Sequence, residues 1–385
     1  LDSNITEFTT VPQKGLTGDM HSILVKNEIS HWLEEVPFST FYNSVKEDVI
    51  GQDGLKQVCA NVYSYLNALL QDSPIRNNMI ISAPSGSGKT ETYRAIQKYF
   101  SKAVPSLSVY IYDMSSVTAN GFKGNDTVSI LAPFIKRRDM NPMGIVFLDE
   151  FDKKVIPMYD SNGTNVNGDV QASLLSMIEG GEVYTNDRGT IKTDRLMFVG
   201  LGSFESFRNR REEKKNPIGI NSTWNTEKDN PYLPLTRNDM VDAGASNEII
   251  GRFPYIVNYN KLGIDDIKMV ITKTVRNIAQ NFNLDSLTVL DSAEEELVQM
   301  ANSKYGCRLI DAALRETVLE AYTNAIVNHD VKKLSITINK LHDATYTWEP
   351  FQRLSEEEKI VRMEEEQNWF EQSMVWDDKP EEYLN

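Results

Sequence analysis

Cysteine and histidine are scarce in this chain of 385 residues, with Cys at 2 and His at 4. Cys59 and Cys307 cannot build a disulfide framework, and no Cys pair has zinc spacing. His21, His31, His329 and His342 are too scattered to form a metal-ligand pattern. No apolar run approaches the ~18–20 residues that a membrane-spanning helix requires. The amino terminus shows no basic stretch followed by an apolar one, so no secretory signal is expected and a cytoplasmic chain is. Positive charge is in deficit: Lys+Arg 40 against Asp+Glu 55, a formal net charge of −15. That excess repels a phosphate backbone, and no basic stretch is interleaved with aromatics, which argues against a nucleic-acid motor. Hydrophobic residues at 40% and charged at 25% are ordinary globular values, and the length suggests two or three domains.

The charge is unevenly spread. Eleven acidic and four basic residues lie between Phe351 and Asn385, nearly half of the whole excess. Ile360, Met363, Trp369 and Phe370 are interspersed, so this piece reads as an amphipathic helix or, more simply, as a solvated acidic tail. Near the other end, Leu24, Ile29, Trp32, Leu33 and Val36 have loosely helical spacing that Pro37 breaks. That segment either packs on the main domain or recognises a partner.

Between Asp48 and Asn260 the pattern is α/β. A helix is expected over Leu55–Leu70, then a strand at Met79–Ser82, a Gly-rich turn and a helix over Glu91–Phe100. Further strands follow at Ser108–Tyr112, Gly144–Leu148 and Leu196–Leu201. Strands alternating with helices imply a parallel sheet covered on both faces. After Asn260, Ile264, Ile267, Val270, Ile271, Val275 and Ile278 mark one amphipathic helix, Leu309–Ala325 another, and Leu334–Ile338 a short strand. The expected division is an N-terminal extension (1–45), a large α/β nucleotide-binding domain (46–260), a small, mainly helical lid domain (261–348) and the tail (349–385).

Ala83-Pro84-Ser85-Gly86-Ser87-Gly88-Lys89-Thr90 lies between the Met79–Ser82 strand and a helix, the context a P-loop needs. Gly86 and Gly88 let backbone N–H groups turn toward a phosphate, and the helix N-terminus adds its positive end. Lys89 can reach the β- and γ-phosphates of ATP, and the Thr90 hydroxyl can ligate Mg²⁺. The strict motif begins with Gly, where Ala83 stands here.

Gly144-Ile145-Val146-Phe147-Leu148-Asp149-Glu150 is an apolar strand ending in two carboxylates. A parallel strand delivers both to the carboxyl edge of the sheet, where open α/β sheets bind ligands. Asp149 can hold Mg²⁺ and Glu150 can polarise the water that attacks the γ-phosphate.

These motifs, in this order, resemble AAA+ ATPases of the ClpX/HslU type, the ring-forming protein unfoldases, from Val49 to about residue 330. Val49-Ile50-Gly51-Gln52 is similar to the adenine-contacting segment of that family, which gives Ile50 and Gly51 that role. The P-loop residues Ser85, Gly86, Ser87, Gly88, Lys89, Thr90 and Glu91 would contact the nucleotide. The run Asp149–Lys153 resembles the Walker B continuation, and Gly168–Gly180 resembles the helix after the second pore loop, which would be Asp160–Asp169. The stretch from Lys192 to Phe204 is similar to HslU. Ile249-Ile250-Gly251-Arg252-Phe253-Pro254 resembles the box carrying the arginine finger, so Arg252 would reach a neighbouring subunit's nucleotide. Gly306-Cys307-Arg308 resembles sensor 2, so Arg308 would contact phosphates of its own subunit. Gly121-Phe122-Lys123-Gly124 falls where the family has its aromatic pore loop, with Lys123 in place of an aliphatic residue.

The resemblance implies an ATP- and Mg²⁺-dependent homohexameric motor that threads proteins through a central pore. No ClpX zinc domain is expected, because no Cys cluster exists, and no HslU inserted domain, because only about twenty residues separate Glu150 from Gln171. The sensor-1 position falls on Leu201, with Ser203 nearby. Pro217-Ile218-Gly219-Ile220 occupies the region of the loop that docks a ClpP-like protease, with Ile220 in place of Phe. Two other purposes fit the same residues: a remodeller of one complex without a protease, and a nucleotide-gated scaffold that hydrolyses little.

Overall fold

The computed structural model describes residues 18–118, 126–159, 161–163, 165–185, 189–207, 234–302 and 306–351. Its chain divides into two compact units, one of residues up to 271 with 297–310, the other of 272–296 and those from 311 on.

Five apolar segments of the first unit pair as parallel strands: β1 (Met79–Ser82), β2 (Ser108–Asp113), β3 (Gly144–Asp149), β6 (Leu196–Gly202) and β7 (Tyr255–Asn258). Their order is β2-β3-β6-β1-β7, with Met79 in register with Val199 and Tyr255, and Ile145 with Met197. β1 and β6 are buried along their whole length and β3 up to Asp149, as strands covered on both faces must be. Alternate residues serve alternate cores. Met79, Ile81, Ile145, Phe147, Met197 and Val199 face one, while Ile80, Val146, Leu148 and Phe198 face the other.

The first core is closed by α3 (Leu55–Leu70) and α4 (Lys89–Ala103), and also by α1 (Gly18–Glu35) and α2 (Phe38–Asp48). Pro37 is the N-cap of α2 and ends the preceding helical pattern, as its missing N–H requires. Val25, Ile29, Trp32, Phe41 and Val45 are buried with α3 and α4, so this segment packs on the main domain. Trp32 is its anchor, with ring centroids of Phe41, Tyr63 and Phe100 at 5.6, 5.5 and 5.5 Å and its indole N–H 3.0 Å from the Tyr99 hydroxyl.

The second core lies under α5 (Ala132–Arg137), α6 (Asp152–Val155), α7 (Val166–Ile178), α8 (Arg237–Asp242) and α9 (Asn247–Gly251). An antiparallel hairpin, β4 (Glu182–Thr185) with β5 (Gly189–Lys192), follows α7. Helix α10 (Ile264–Asn281) spans the helical pattern expected there.

Within the second unit, β8 (Ser286–Val289), β9 (Val331–Lys340) and β10 (Asp343–Pro350) form a sheet of order β10-β9-β8. Leu334, Ile336 and Ile338 alternate inward along β9, and Phe282 meets Tyr322 at 5.2 Å. Two further helices are α11 (Asp291–Ala301) and α12 (Arg308–Asn328). No described helix is long and apolar enough to cross a membrane. The acidic tail beyond Phe351, the first pore loop with Phe122 and Lys123, and the Ile218-Gly219-Ile220 segment lie outside the described residues.

Candidate nucleotide site

β1 ends at Ser82 and the chain turns into α4 at Lys89, so the P-loop stands at the carboxyl edge of the sheet. Gly86 (φ +73°) and Gly88 (φ +91°) hold backbone conformations that side chains rarely adopt, and Gly88 is the N-cap of α4. Ala83 is fully buried with no left-handed backbone, so a methyl in place of hydrogen strains nothing there. Lys89, at 8% exposure, donates to the carbonyls of Ala83 (2.7 Å) and Pro84 (3.1 Å). Burial pushes its ammonium down to about 8, and Arg308 adds to the fall. The carboxylates of Asp152, Asp149 and Glu205 oppose it. Thr90, half-buried, follows in the first turn, and Glu91 pairs with Arg94.

β6 lies between β1 and β3, which places three strand ends side by side. β3 delivers Asp149, in register with Asp113 of β2. Burial raises the Asp149 carboxyl, while the Glu150 N–H at 3.0 Å lowers it. Glu150 has φ +55°, a strained backbone for a non-glycine residue of the kind that clusters at working sites. Its carboxylate pairs with Lys153. At the end of β6, Leu201 is fully buried in the first core, so its side chain offers no polar contact. The Ser203 hydroxyl donates to Asp152 at 3.2 Å, and the Phe204 N–H donates to the same oxygen at 2.9 Å. Asp152 is the carboxylate acting most strongly on Lys89, a site residue that the motif spacing does not single out. The signal was present, because the first residue of a helix following Asp149-Glu150 is carried back to the same strand ends.

Two further segments meet the P-loop. Gly51 (φ +69°) sits so close to Asp266 that a Cβ there would lie 2.5 Å from the carboxyl carbon. Gln52 and Asn260 exchange hydrogen bonds of 3.0 and 2.9 Å and fix that approach, which carries the half-buried Ile50. Val49 reaches within 3.8 Å of where a Cβ on Gly88 would stand. From the other side, a Cβ on Gly86 would lie 2.7 Å from the Cys307 nitrogen, and one on Gly306 2.4 Å from the Ser85 carbonyl oxygen. The exposed Arg308 follows, close enough to act on Lys89.

Arg252 is elsewhere. It follows α9 and pairs with Glu179 at the end of α7. Both line a cleft of about 580 Å³ with Arg76, Asn78, Asp194 and Arg195. Those residues precede the starts of β1 and β6, and Pro254, also in the cleft, precedes β7. Arg252 therefore stands at the amino edge of the sheet, a strand's length from the P-loop of its own chain.

No group of three or more His, Cys, Asp or Glu among the described residues is placed to hold a metal on its own. Mg²⁺ fits the site nonetheless, because it takes few protein ligands and shares the rest with phosphates and water. Thr90 and the half-buried Asp149 would hold it, and it would neutralise phosphate charge.

A phosphate loop between a buried parallel strand and a helix, with the acidic end of β3 facing it across β6, defines a P-loop nucleotide-binding domain. Residues 75–256 match the AAA domain (Cdc48 subfamily). The "ATP-dependent Clp protease ATP-binding subunit ClpX" of Bacteroides fragilis is 28% identical over 332 residues, covering 77% of this chain and 79% of its own length. Its Bacteroides thetaiotaomicron counterpart is 28% identical over 326 residues, 76% and 77%. ClpX 2 of Wolinella succinogenes is 24% identical over 287 residues, 68% and 69%. Residues 75–256 thus carry the AAA ATPase domain, in a chain similar to ClpX over about three quarters of its length.

Proposed function

We propose that this chain hydrolyses ATP in a homohexameric ring and uses the energy to unfold or remodel proteins drawn through a central pore. The observation that carries the hydrolytic part is the convergence of Lys89, Asp149, Glu150 and Asp152 at the carboxyl ends of β1 and β3, which flank β6, with Gly306–Arg308 packed against the loop. Lys89 binds the β- and γ-phosphates, and Thr90 and Asp149 serve Mg²⁺. Glu150 orients and deprotonates water, while Ile50 and Gly51 lie beside the base. Arg252 acts on the nucleotide of the next subunit, which its place at the opposite edge of the sheet supports. Arg308, which opens a helix of the lid domain (261–348), senses the phosphates of its own chain.

Phe122 and Lys123 grip the substrate in this reading, and a protease of the ClpP type would dock at Ile218-Gly219-Ile220. The test is ATP turnover with and without a loosely folded protein, alongside the particle's mass in solution with ATP. Turnover stimulated by the protein in a ring-sized particle is the expected result. Tight nucleotide binding by a monomer with negligible turnover would overturn it in favour of a nucleotide-gated scaffold.

A further inference from the structure

Arg237 is an exposed cation whose guanidinium is directed at main-chain carbonyls. It opens α8, and its terminal nitrogens donate to the carbonyls of Ile250 (3.3 Å), Phe253 (3.0 Å) and Pro254 (2.7 Å). These oxygens lie on either side of Arg252: Ile250 in the last turn of α9, Phe253 and Pro254 in the link to β7. Carbonyls at and beyond a helix end take their partners from outside the helix. The platform under Arg237 is itself fixed. Thr236 and Asp239 form a capping box at the start of α8, with the Thr236 N–H 2.7 Å from the Asp239 carboxylate. The main chain of Leu235 and the side-chain amide of Asn258, the last residue of β7, exchange hydrogen bonds of 2.8 and 3.2 Å.

The turn that Arg237 holds is firm on one side only. Phe253 is fully buried, its ring 5.0 Å from that of Phe151, whereas a Cβ on Gly251 would meet nothing within 4 Å. Arg252 therefore has an anchored neighbour after it and an open one before it. The surface pair with Glu179 is too weak to fix its direction. A planar guanidinium reaches carbonyls on both sides of Arg252 at once, which the point charge of an ammonium does not. We propose that Arg237 is a positioning residue for Arg252: it ties the carbonyls that bracket that residue, so that the Arg252 side chain is presented in one direction to the next subunit's nucleotide. This rests on the proposed role of Arg252 and adds a residue to it. Arg237 itself touches neither nucleotide nor substrate.

The test compares Arg237→Ala, Arg237→Lys and Arg252→Ala with the unaltered chain in two measurements. In the first, steady-state ATP turnover is read beside the affinity for a fluorescent ADP. Arg237→Ala keeps that affinity and KM within about twofold, because the P-loop is intact, and its kcat falls by about 10- to 10²-fold, the scale of a reacting group displaced by about an ångström. Arg237→Lys, which keeps a single donor group, recovers part of the loss. The double variant Arg237→Ala/Arg252→Ala turns over as slowly as Arg252→Ala and no slower, since both changes act through one side chain. Full kcat in Arg237→Ala beside a crippled Arg252→Ala would overturn the proposal and leave the reading of Arg252 standing. So would a further loss in the double variant, or a loss of ADP affinity that matches the loss of kcat. Full kcat in Arg252→Ala would overturn both. In the second measurement, Arg237→Ala and Arg252→Ala chains are each mixed with Lys89→Ala chains, which carry the intact turn. Both mixtures regain turnover. Recovery with Arg252→Ala alone would refute the positioning role, and recovery with neither would refute the action of Arg252 on a neighbour.

Discussion

Binding of ATP by this chain should take up a proton at alkaline pH, and Lys89 sets how much. Its folded-state value of about 8 lies below the ordinary lysine value because the ammonium is buried with only backbone carbonyls as hydrogen-bond partners. A bound polyphosphate favours the charged form and returns the value toward the ordinary range. At pH 7 about nine-tenths of the free protein already carries the charge, so binding takes up about 0.1 proton. At pH 9 only about one-tenth does, and uptake approaches about 0.9. If the charged form alone binds, the free-protein quantities fall about tenfold from pH 7 to pH 9. Those quantities are nucleotide affinity and kcat/KM. In contrast kcat, which reports the complex, stays level across that range.

Calorimetric titration with ADP or a non-hydrolysable ATP analogue, in buffers of differing ionisation enthalpy, measures the uptake directly. Lys154 is also lowered by burial, so Lys154→Met is the control, and it should keep the uptake. Cys307 is pushed up by its own burial and stays protonated over most of this range. Zero proton uptake at pH 9, or kcat falling together with kcat/KM, would show that Lys89 is not the group recognising phosphate.

Glu150→Gln should bind ATP and slow its hydrolysis by about 10²-fold or more, the usual scale of a lost general base; unchanged turnover in a phosphate-release assay would reassign the role. Gly306→Ala introduces a Cβ 2.4 Å from the Ser85 carbonyl at φ +60°, so the P-loop must shift and nucleotide affinity should fall several-fold. A fluorescent-nucleotide titration that matches the unaltered chain would refute that packing. Trp32→Ala removes a ring held by four aromatic neighbours and should cost about 3–5 kcal/mol, read as a lowered urea midpoint, whereas a shift under 1 kcal/mol would detach the first two helices from the core. Arg252→Ala should suppress turnover alone and regain part of it when mixed with Lys89→Ala chains, which supply the arginine and lack the phosphate lysine. Mixing without any recovery would place Arg252 outside the reaction.

The strands and the P-loop were legible because burial on both faces writes itself as uninterrupted apolar runs. Met79–Ser82 and Leu55–Leu70 have the very bounds that spacing assigned them. Ranges grew at helix ends, as from Glu91–Phe100 to Lys89–Ala103, because the first turn is set by Gly88 and not by apolar spacing. Short half-buried strands such as Ser286–Val289 and Asp343–Pro350 escaped notice, since four alternating residues, or a polar edge strand, carry little periodic signal. The same limit applied to the site. Asp149 and Glu150 announce themselves by following an apolar run, whereas the influence of Asp152 on Lys89 exists only once β6 lies between β1 and β3. The proton shift on Lys89 likewise has no sequence signature, because it comes from burial that the whole loop creates.

The two edges of the five-stranded sheet carry different chemistry, and that difference bears on what one copy can do alone. The sheet's own contributions to a polyphosphate site leave its carboxyl ends: the loop after β1, Asp149 at the end of β3, Ser203 after β6. Arg252 stands at the other end with Arg76 and Arg195. Even the four-residue β1 spans about 13 Å, and its neighbours hold it in register on both sides. Arg252 could reach the phosphates of its own chain only by unpairing that sheet, whereas a second copy set against the amino edge needs no such disruption. Its present partner would not prevent the exchange. An exposed pair like Arg252 with Glu179 is worth about 0–1 kcal/mol, and a polyphosphate offers more charge and bidentate geometry. In the proposed ring each arginine would serve its neighbour, and Glu179, its partner within the chain, would hold that arginine until the neighbour is loaded.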